Sequence, residues 1–258
     1  MEEKLWFIFF KNDVLLEKKA DSSYAIPRGS EPPVAVPQGA HVLSVRYQDD
    51  EAIRTFCVDQ PIEMPGYELC GLRASYYKLS HDLYLKAGKC HELVFWDNNT
   101  HFCSTCGAPM EMHTDISKRC TKCGREVWPQ LATAIIVLIH RGDEVLLVHA
   151  KNFKTDFYGL VAGFVETGET LEEAVHREVM EETGLTIKNL TYFGSQPWPY
   201  PCGLMVGFMA EYVSGDVTLQ YSELSKGGWF NRHHLPQLPE KLSIARRIID
   251  HWLKGFSD

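Results

Sequence analysis

The stretch that most restricts the fold runs from Gly163 to Leu185 and reads GFVETGETLEEAVHREVMEETGL. Gly163 and Gly168 bracket a tight loop. Thr170 and Glu173 form a capping box, in which each side chain satisfies a backbone N–H at a helix start. Gly184 is the glycine that closes a helix in the left-handed conformation. The pattern predicts a loop followed by a helix over residues 170–183. Leu171, Val175 and Val179 recur at helical spacing and mark the face it buries.

At about 100° per residue, Glu178, Glu181 and Glu182 fall within roughly a third of the helix circumference, along the edge of that buried face. Like charges at this spacing repel by about a few tenths of a kcal/mol per pair. Divalent cations that prefer oxygen ligands and keep open water positions, Mg²⁺ or Mn²⁺, would neutralise the repulsion. A Glu-rich helix taken alone is most often a solvated face. The loop, the capping box, Arg177 and the closing glycine in fixed order argue here for a cleft wall that holds metal ions.

Four of the eight cysteines are paired by spacing, as C-x2-C-x13-C-x2-C: Cys103 with Cys106 and Cys120 with Cys123. Two such knuckles bring four thiolates to a tetrahedral Zn²⁺, and four protein ligands leave no position for a catalytic water. Gly107 and Gly124 follow the pairs and let the chain turn so that amides face the sulfurs. The expectation is one structural zinc per chain, in a segment, 99–128, too short and too poor in large apolar residues to stabilise itself by burial. Cys57, Cys70, Cys90 and Cys202 are scattered. The start, Met-Glu-Glu-Lys-Leu-Trp, lacks the basic-then-apolar order of a secretion signal, and no apolar run approaches the ~20 residues that span a bilayer. These features lead to an expectation of a cytoplasmic protein without membrane segments. The formal net charge of −8 argues against broad non-specific nucleic-acid binding.

Around these two features the chain divides into an N-terminal domain over 1–98, a zinc ribbon over 99–128 and a catalytic domain over 129–258. In the first, Leu5 to Phe10 and Val14 to Leu16 flank a hairpin turn at Lys11-Asn12-Asp13. Residues 22–38 are rich in proline and read as a loop. Val42 to Tyr47 and Ile53 to Val58 read as strands, and 80–96 as a helix, from Leu83, Ala87, Cys90 and Val94. In the third, Ala132 to Ile139 is a buried strand turned back at Arg141-Gly142-Asp143 into Val145 to Val148. Further strands are expected at Leu190 to Phe193, Leu204 to Tyr212 and Val217 to Leu219, the last pair joined at Ser214-Gly215-Asp216. Leu242 to Leu253 reads as an amphipathic helix. The fold class is α/β (α+β): a mixed sheet sandwiched between helices, preceded by a zinc ribbon and a smaller, mostly-β N-terminal domain. The sequence carries no evident internal repeat.

The stretch from Gly163 resembles the Nudix box, G-x5-E-x7-R-E-U-x-E-E-x-G-U with U aliphatic, at every defined position: Gly163, Glu169, Arg177, Glu178, Val179, Glu181, Glu182, Gly184 and Leu185. The resemblance implies an α/β/α sandwich that binds divalent ions and hydrolyses the diphosphate of a nucleoside diphosphate linked to another group. It implies Glu178, Glu181 and Glu182 as metal ligands, Glu182 as the most sensitive position, and Arg177 as the residue that orients them by pairing with Glu169 or a neighbouring acid. Downstream, Ser195-Gln196-Pro197-Trp198-Pro199-Tyr200-Pro201 is a proline-stiffened segment offering Trp198 and Tyr200 as flat stacking faces. It is similar to the SQPWPFPxS array of the NADH pyrophosphatases within the Nudix class, which also carry cysteine knuckles before the catalytic domain. Tyr200 departs from the array's Phe, and Gly203 from its last Ser.

That closer resemblance implies hydrolysis of NAD(H) to nicotinamide mononucleotide and AMP, removal of an NAD cap from the 5′ end of RNA, and a homodimer. It implies Ala162 (through its carbonyl) and Glu223 as further metal ligands. Substrate contacts are implied at Gln196, Pro197, Trp198, Pro199, Tyr200, Pro201, Cys202, Gly203 and Ala245, with Trp128, Asp115, Arg73 and Arg28 as more distant carry-overs. Two rival readings are a Nudix hydrolase for ADP-ribose or another NDP-linked compound, and a non-catalytic zinc-ribbon module that binds nucleotides or nucleic acid. The SQPWPYP segment counts against the first and the intact carboxylate set against the second.

Overall fold

The computed structural model describes residues 3–48, 53–153 and 155–255; the extreme terminal residues read for targeting signals lie partly outside these. The chain forms two compact units. One runs through Gln130 and takes in Pro199–Cys202; the other comprises Leu131–Trp198 and resumes at Gly203.

In the first unit, β1 (Lys4–Phe10) and β2 (Asp13–Lys18) form the expected hairpin, with Lys11 in the left-handed conformation at φ 54°. The proline-rich stretch contains two short strands, β3 (Tyr24–Ala25) and β4 (Arg28–Gly29), rather than loop alone. β5 (Leu43–Val45), β6 (Ile53–Cys57) and β7 (Tyr67–Gly71) complete a sheet in which β1 and β6 run parallel. The short helix α1 (Leu72–Ser75) leads to α2 (His81–Asn98), whose N-cap Ser80 accepts a hydrogen bond from the Leu83 amide. Ala87, Cys90, Leu93 and Val94 of α2 pack on Phe7, Phe9 and Val14. A separate three-stranded sheet, β8 (Met110–Thr114), β9 (Ser117–Cys120) and β10 (Glu126–Val127), carries the cysteine knuckles.

The second unit is built on β11 (Ala132–Arg141) and β12 (Glu144–Ala150), joined by the Arg141–Asp143 turn. β13 (Val161–Phe164) pairs with β11 and leads into α3 (Leu171–Thr183), then β14 (Thr186–Trp198), β15 (Gly203–Ser214), β16 (Leu224–Asn231) and α4 (Ile244–Lys254). The sheet order is β14-β15-β11-β12-β16, with β11 and β15 parallel and the other pairs antiparallel. Because successive strand residues face opposite sides, Ile135, Val137 and Ile139 pack with Val175 and Val179 of α3, while Ile136 and Leu138 pack with Ile244, Ile248 and Ile249 of α4. This is the mixed sheet between helices. The segment at Val217–Leu219 is not a strand. Its backbone is spent elsewhere: the Thr218 and Gln220 amides donate to the carbonyls of Thr183 and Glu182, both 2.9 Å, and so satisfy the open end of α3.

The two units repeat one topology. The path β5-β6-β1-β2-β7 matches β14-β15-β11-β12-β16 strand for strand, including the parallel central pair, and β4 pairs with β1 as β13 does with β11. The repeat that the sequence does not display is therefore present in the backbone. In the first unit the counterpart of α3 would fall between β4 and β5. Pro32, Pro33 and Pro37 occupy that stretch, and residues 30–42 form no helix. The carboxylate-bearing element belongs to the second copy alone.

Candidate active site and zinc centre

Helix α3 begins as its sequence requires. The Thr170 hydroxyl accepts from the Glu173 amide at 3.2 Å, and the Glu173 carboxylate accepts from the Thr170 amide at 2.7 Å. It ends at Gly184, φ 70°, whose amide donates to the Met180 carbonyl. The loop before it is tied by Glu169, which accepts the Glu166 amide at 2.7 Å and grips Arg177 through two bonds, 3.0 and 2.6 Å. The Arg177 guanidinium holds the Glu169 carboxyl down at about 2. Arg177 also donates to Glu178 (2.8 Å), Glu181 (3.2 Å) and the Phe164 carbonyl (3.0 Å), so one cation spans loop, strand and helix. A planar fork with five donors suits such a hub.

The acids differ in environment. Glu181 is half exposed at its side chain, Glu178 is 9% exposed, and Glu182 is 4% exposed with one oxygen, Oε2, lacking any hydrogen-bond partner. Burial pushes the Glu182 carboxyl up to about 8, helped by the charges of Glu178, Glu223 and Glu181. Burial likewise raises Glu178, against the pull of Arg177. Glu223 is close enough to act on both, although it lies on an exposed turn before β16 rather than on α3. Its carbonyl accepts the Lys151 amide, which fixes the turn. Gly163 completes the cradle: a Cβ there would sit 2.0 Å from the Glu178 carboxylate. A glycine is needed because the strand backbone and the acid occupy neighbouring space. An orphaned buried oxygen, oxygen donors only and mutually raised carboxyls fit a hard divalent cation. Ala162, next to Gly163, pairs with Ile136 across the sheet. Phe164, on the other side, exposes 64% of its surface beside this cradle, and no spacing in the sequence marks it.

The SQPWPYP segment is divided. Ser195–Trp198 ends β14, and Trp198 pairs with Gly203 at the start of β15. Gln196 is buried, donates from its amide nitrogen to the Leu242 carbonyl at 2.9 Å and leaves its Oε1 without a partner; Ala245 is buried on α4. Tyr200 differs from the expectation of a presented ring. It packs into the apolar cluster under α2, its hydroxyl 2.7 Å from that of Tyr84. Pro197 and Pro201 are exposed, Pro199 is buried and Cys202 is partly buried. Gly203 also explains one departure from the array: a Cβ would lie 3.0 Å from the Trp198 carbonyl, so any side chain crowds the hairpin. Of the other carry-overs, Arg73 is near enough that its charge acts on both Tyr84 and Tyr200. Asp115 pairs with Arg46 at 3.1 Å, Arg28 lies exposed on β4, and Trp128 is 52% exposed after β10.

The four cysteine sulfurs lie within 4.8 Å of one another, with Cys103–Cys123 at 3.6 Å and Cys106–Cys120 at 3.4 Å. A zinc tetrahedron with about 2.3 Å bonds has sulfur–sulfur edges of roughly 3.8 Å, close to this spacing. The Thr105 amide donates to Cys103 Sγ, and the Lys122 and Cys123 amides donate to Cys120 Sγ. Those amides lower both thiols, Cys120 to about 6. Gly107 and Gly124, at φ 72° and 74°, make the knuckle turns. Donor set, spacing and amide support all fit Zn²⁺.

A family profile described as "NUDIX domain" matches residues 129–253, and one described as "NADH pyrophosphatase-like rudimentary NUDIX domain" matches residues 3–96. The chain belongs to the Nudix hydrolase family. Within it, the chain is 40% identical over 210 residues to the NAD-capped RNA hydrolase NudC of Pseudomonas aeruginosa, an alignment spanning 81% of this chain and 76% of the relative. It is 39% identical over 208 residues to the same-named hydrolase of Stutzerimonas stutzeri, 80% of this chain and 75% of that one. The crystal structure of a Nudix hydrolase from Nitrosomonas europaea superposes with a TM-score of 0.52 at 19% identity, covering 60% of this chain and 91% of that one, which establishes the common fold. The rudimentary profile falls on the unit that lacks the carboxylate helix.

Proposed function

We propose that this Nudix hydrolase cleaves the diphosphate of NAD(H) to a nicotinamide mononucleotide and AMP, and removes the NAD cap from RNA 5′ ends. The observation that carries this reading is the buried, unpartnered Glu182 oxygen beside Glu178, in a chain about two-fifths identical to NAD-capped RNA hydrolases along most of its length. Glu178, Glu181, Glu182 and Glu223, with the Ala162 carbonyl, would hold Mg²⁺ or Mn²⁺, which when bound lowers the pKa of water and neutralises diphosphate oxygens. Arg177 orients the acids. Glu182, the most buried of them, is positioned to ligate or to accept a proton. Gln196, Trp198 and Ala245 line the substrate side, with Trp128, Arg73, Arg28 and Asp115 as outlying contacts. Cys103, Cys106, Cys120 and Cys123 hold one structural Zn²⁺. The organisation proposed is 1–98, 99–128 and 129–258, in a cytoplasmic homodimer; no helix of the described residues is long and apolar enough to cross a membrane.

Product analysis after cleavage of NADH in ¹⁸O water tests substrate, bond and attacked phosphorus together. The expected products are reduced nicotinamide mononucleotide and AMP, one of them carrying a single ¹⁸O. Faster initial rates on ADP-ribose than on NADH or NAD-capped RNA would overturn the substrate assignment.

The metal assignment carries a pH signature. With no cation bound, Glu182 titrates at about 8 in the folded chain against 4.5 for an ordinary glutamate. The folded state then binds more protons than the unfolded state between those values, so this group removes stability as pH rises through them. Bound Mn²⁺ offsets the penalty. The gap in unfolding midpoint between Mn²⁺-loaded and Mn²⁺-free protein, zinc retained in both, is expected to widen from about pH 5 to about pH 8. Scanning fluorimetry showing a constant or shrinking gap would contradict the assignment.

A further inference from the structure

The ladder between β12 and β16 slips by one residue next to the Glu223 turn. Lys226 stands opposite His149 and Leu224 opposite Ala150, which leaves Ser225 over between them. One extra residue makes a β-bulge, which bends the strand and re-aims the side chains beyond it. The packing shows the effect. Trp229 and Leu224 are an odd number of places apart and would lie on opposite faces of a regular strand. Both pack with Val175 and Val179 on the α3 face. The bulge therefore returns Leu224, 2% exposed, to that face and fixes where Glu223, the residue before it, leaves the strand.

The bulge is locked by two side-chain bonds. The Ser225 hydroxyl donates to the His149 carbonyl at 3.1 Å and lies 2.9 Å from His149 Nδ1. A hydroxyl has one proton, so with that proton on the carbonyl the ring nitrogen is the donor in the second bond. His149 is itself held edge-on by Phe153 and Tyr158, with ring centroids 5.6 and 6.0 Å away. Its Nε2 lies 3.7 Å from the carboxylate of Asp156, which also pairs with Lys226. Tyr158 packs with Ile244 and Ile248, on the side of the sheet away from α3. Toward α3, the Gln220 amide donates to the Glu182 carbonyl, and the Gln220 carbonyl accepts the Glu223 and Leu224 amides at 3.0 and 2.9 Å. The Glu223 carboxylate is near enough that its charge acts on both Glu178 and Glu182.

We propose that Ser225 and His149 are positioning residues for the divalent cation: by locking the bulge from the far side of the sheet they hold Glu223 beside Glu178 and Glu182. This rests on the reading that Glu223 is a metal ligand. Glu178 and Glu182 share one rigid helix, so their spacing is set by α3 alone. Glu223 arrives from another element, and its place depends on the strand register. A bulge that migrates by one place moves the chain by about 3.3 Å, which takes a carboxylate out of a cation's reach.

The test is Mn²⁺ titration of the full-length, zinc-loaded protein without substrate, with free Mn²⁺ read by electron paramagnetic resonance. Ser225→Ala removes an exposed hydroxyl and is expected to weaken Mn²⁺ binding about tenfold, with the metal-free unfolding midpoint unchanged. Ser225→Thr keeps the hydroxyl and should bind within about twofold of the parent. His149→Phe keeps a ring but no donor and should match Ser225→Ala. Glu223→Gln supplies the reference: adding Ser225→Ala to it should weaken binding no further, since the lock acts through that carboxylate. Parent affinity in Ser225→Ala, or effects of Ser225→Ala and Glu223→Gln that multiply, would overturn the proposal while leaving Glu223 a ligand. Parent affinity in Glu223→Gln would overturn the ligand reading, and the proposal with it.

Discussion

Glu182→Gln is expected to lower turnover of NADH by about 10³-fold while leaving the circular dichroism, the zinc content and the unfolding midpoint near those of the parent. The amide fills the same volume and removes the charge. In this protein that charge sits at 4% exposure, on the last turn of α3, with one oxygen that no protein group satisfies. An acid in that state is costly to the fold, as its pKa of about 8 records. Without metal the carboxyl is already largely protonated at neutral pH, so exchanging it for an amide of the same size should leave the variant no less stable. Loss of activity together with an unchanged or raised midpoint separates a chemical role from a structural one. Hydrolysis at the parent rate would mean that the reaction occurs elsewhere. Glu181→Gln makes the contrast: Glu181 is half exposed and shares Arg177 with two other acids, and a smaller loss is expected.

What the sequence reveals of this site follows the range of the interactions. The capping box, the Arg177–Glu169 pair and the closing Gly184 all act within a few turns of chain, and their spacing alone displays them. The cysteine knuckles are equally local. The β11–β12 hairpin and helices α2 and α4 follow from periodicity and turn residues. Contacts made across the sheet are not displayed. Gly163 is a motif position in the sequence; only the fold shows that it leaves room for the Glu178 carboxylate. Val217–Leu219 has the composition of a strand, yet its amides close α3, a demand that arises only once Thr183 and Glu182 end a helix nearby. Tyr200 looks like a stacking face because aromatic rings between prolines are stiff, but stiffness does not say which way a ring points. The duplicated topology is invisible for a related reason: β4 and β5 hold the places of β13 and β14, but the stretch between them contains prolines and no helix, so the pattern that would advertise the repeat is absent there.

The four-cysteine cluster carries the second large effect. Cys120→Ser is expected to reduce zinc from one ion per chain to nearly none, measured by metal analysis, and to lower the unfolding midpoint by about 5–10 °C. The cluster around the knuckles has three buried members, and two of them, Cys103 and Cys120, are the proposed zinc ligands; Met110 is the third. Without the metal there is almost no apolar surface to hold β8, β9 and β10 together. The loss spreads through Lys118 on β9, fully buried, whose ammonium meets Asp97 at 2.6 Å and donates to the Asp97 and Thr100 carbonyls. That pair is stable only while β9 stays in register, because a buried charge separated from its partner costs several kcal/mol. His41 shares the same carboxylate at 3.0 Å, so the disturbance reaches the loop before β5 as well. Turnover per folded molecule at low temperature should remain close to the parent value, since the cysteines and the carboxylates of α3 belong to separate compact units. A zinc-free variant with an unshifted midpoint would show that hydrogen bonds alone hold the three strands, and that the four thiols have another purpose.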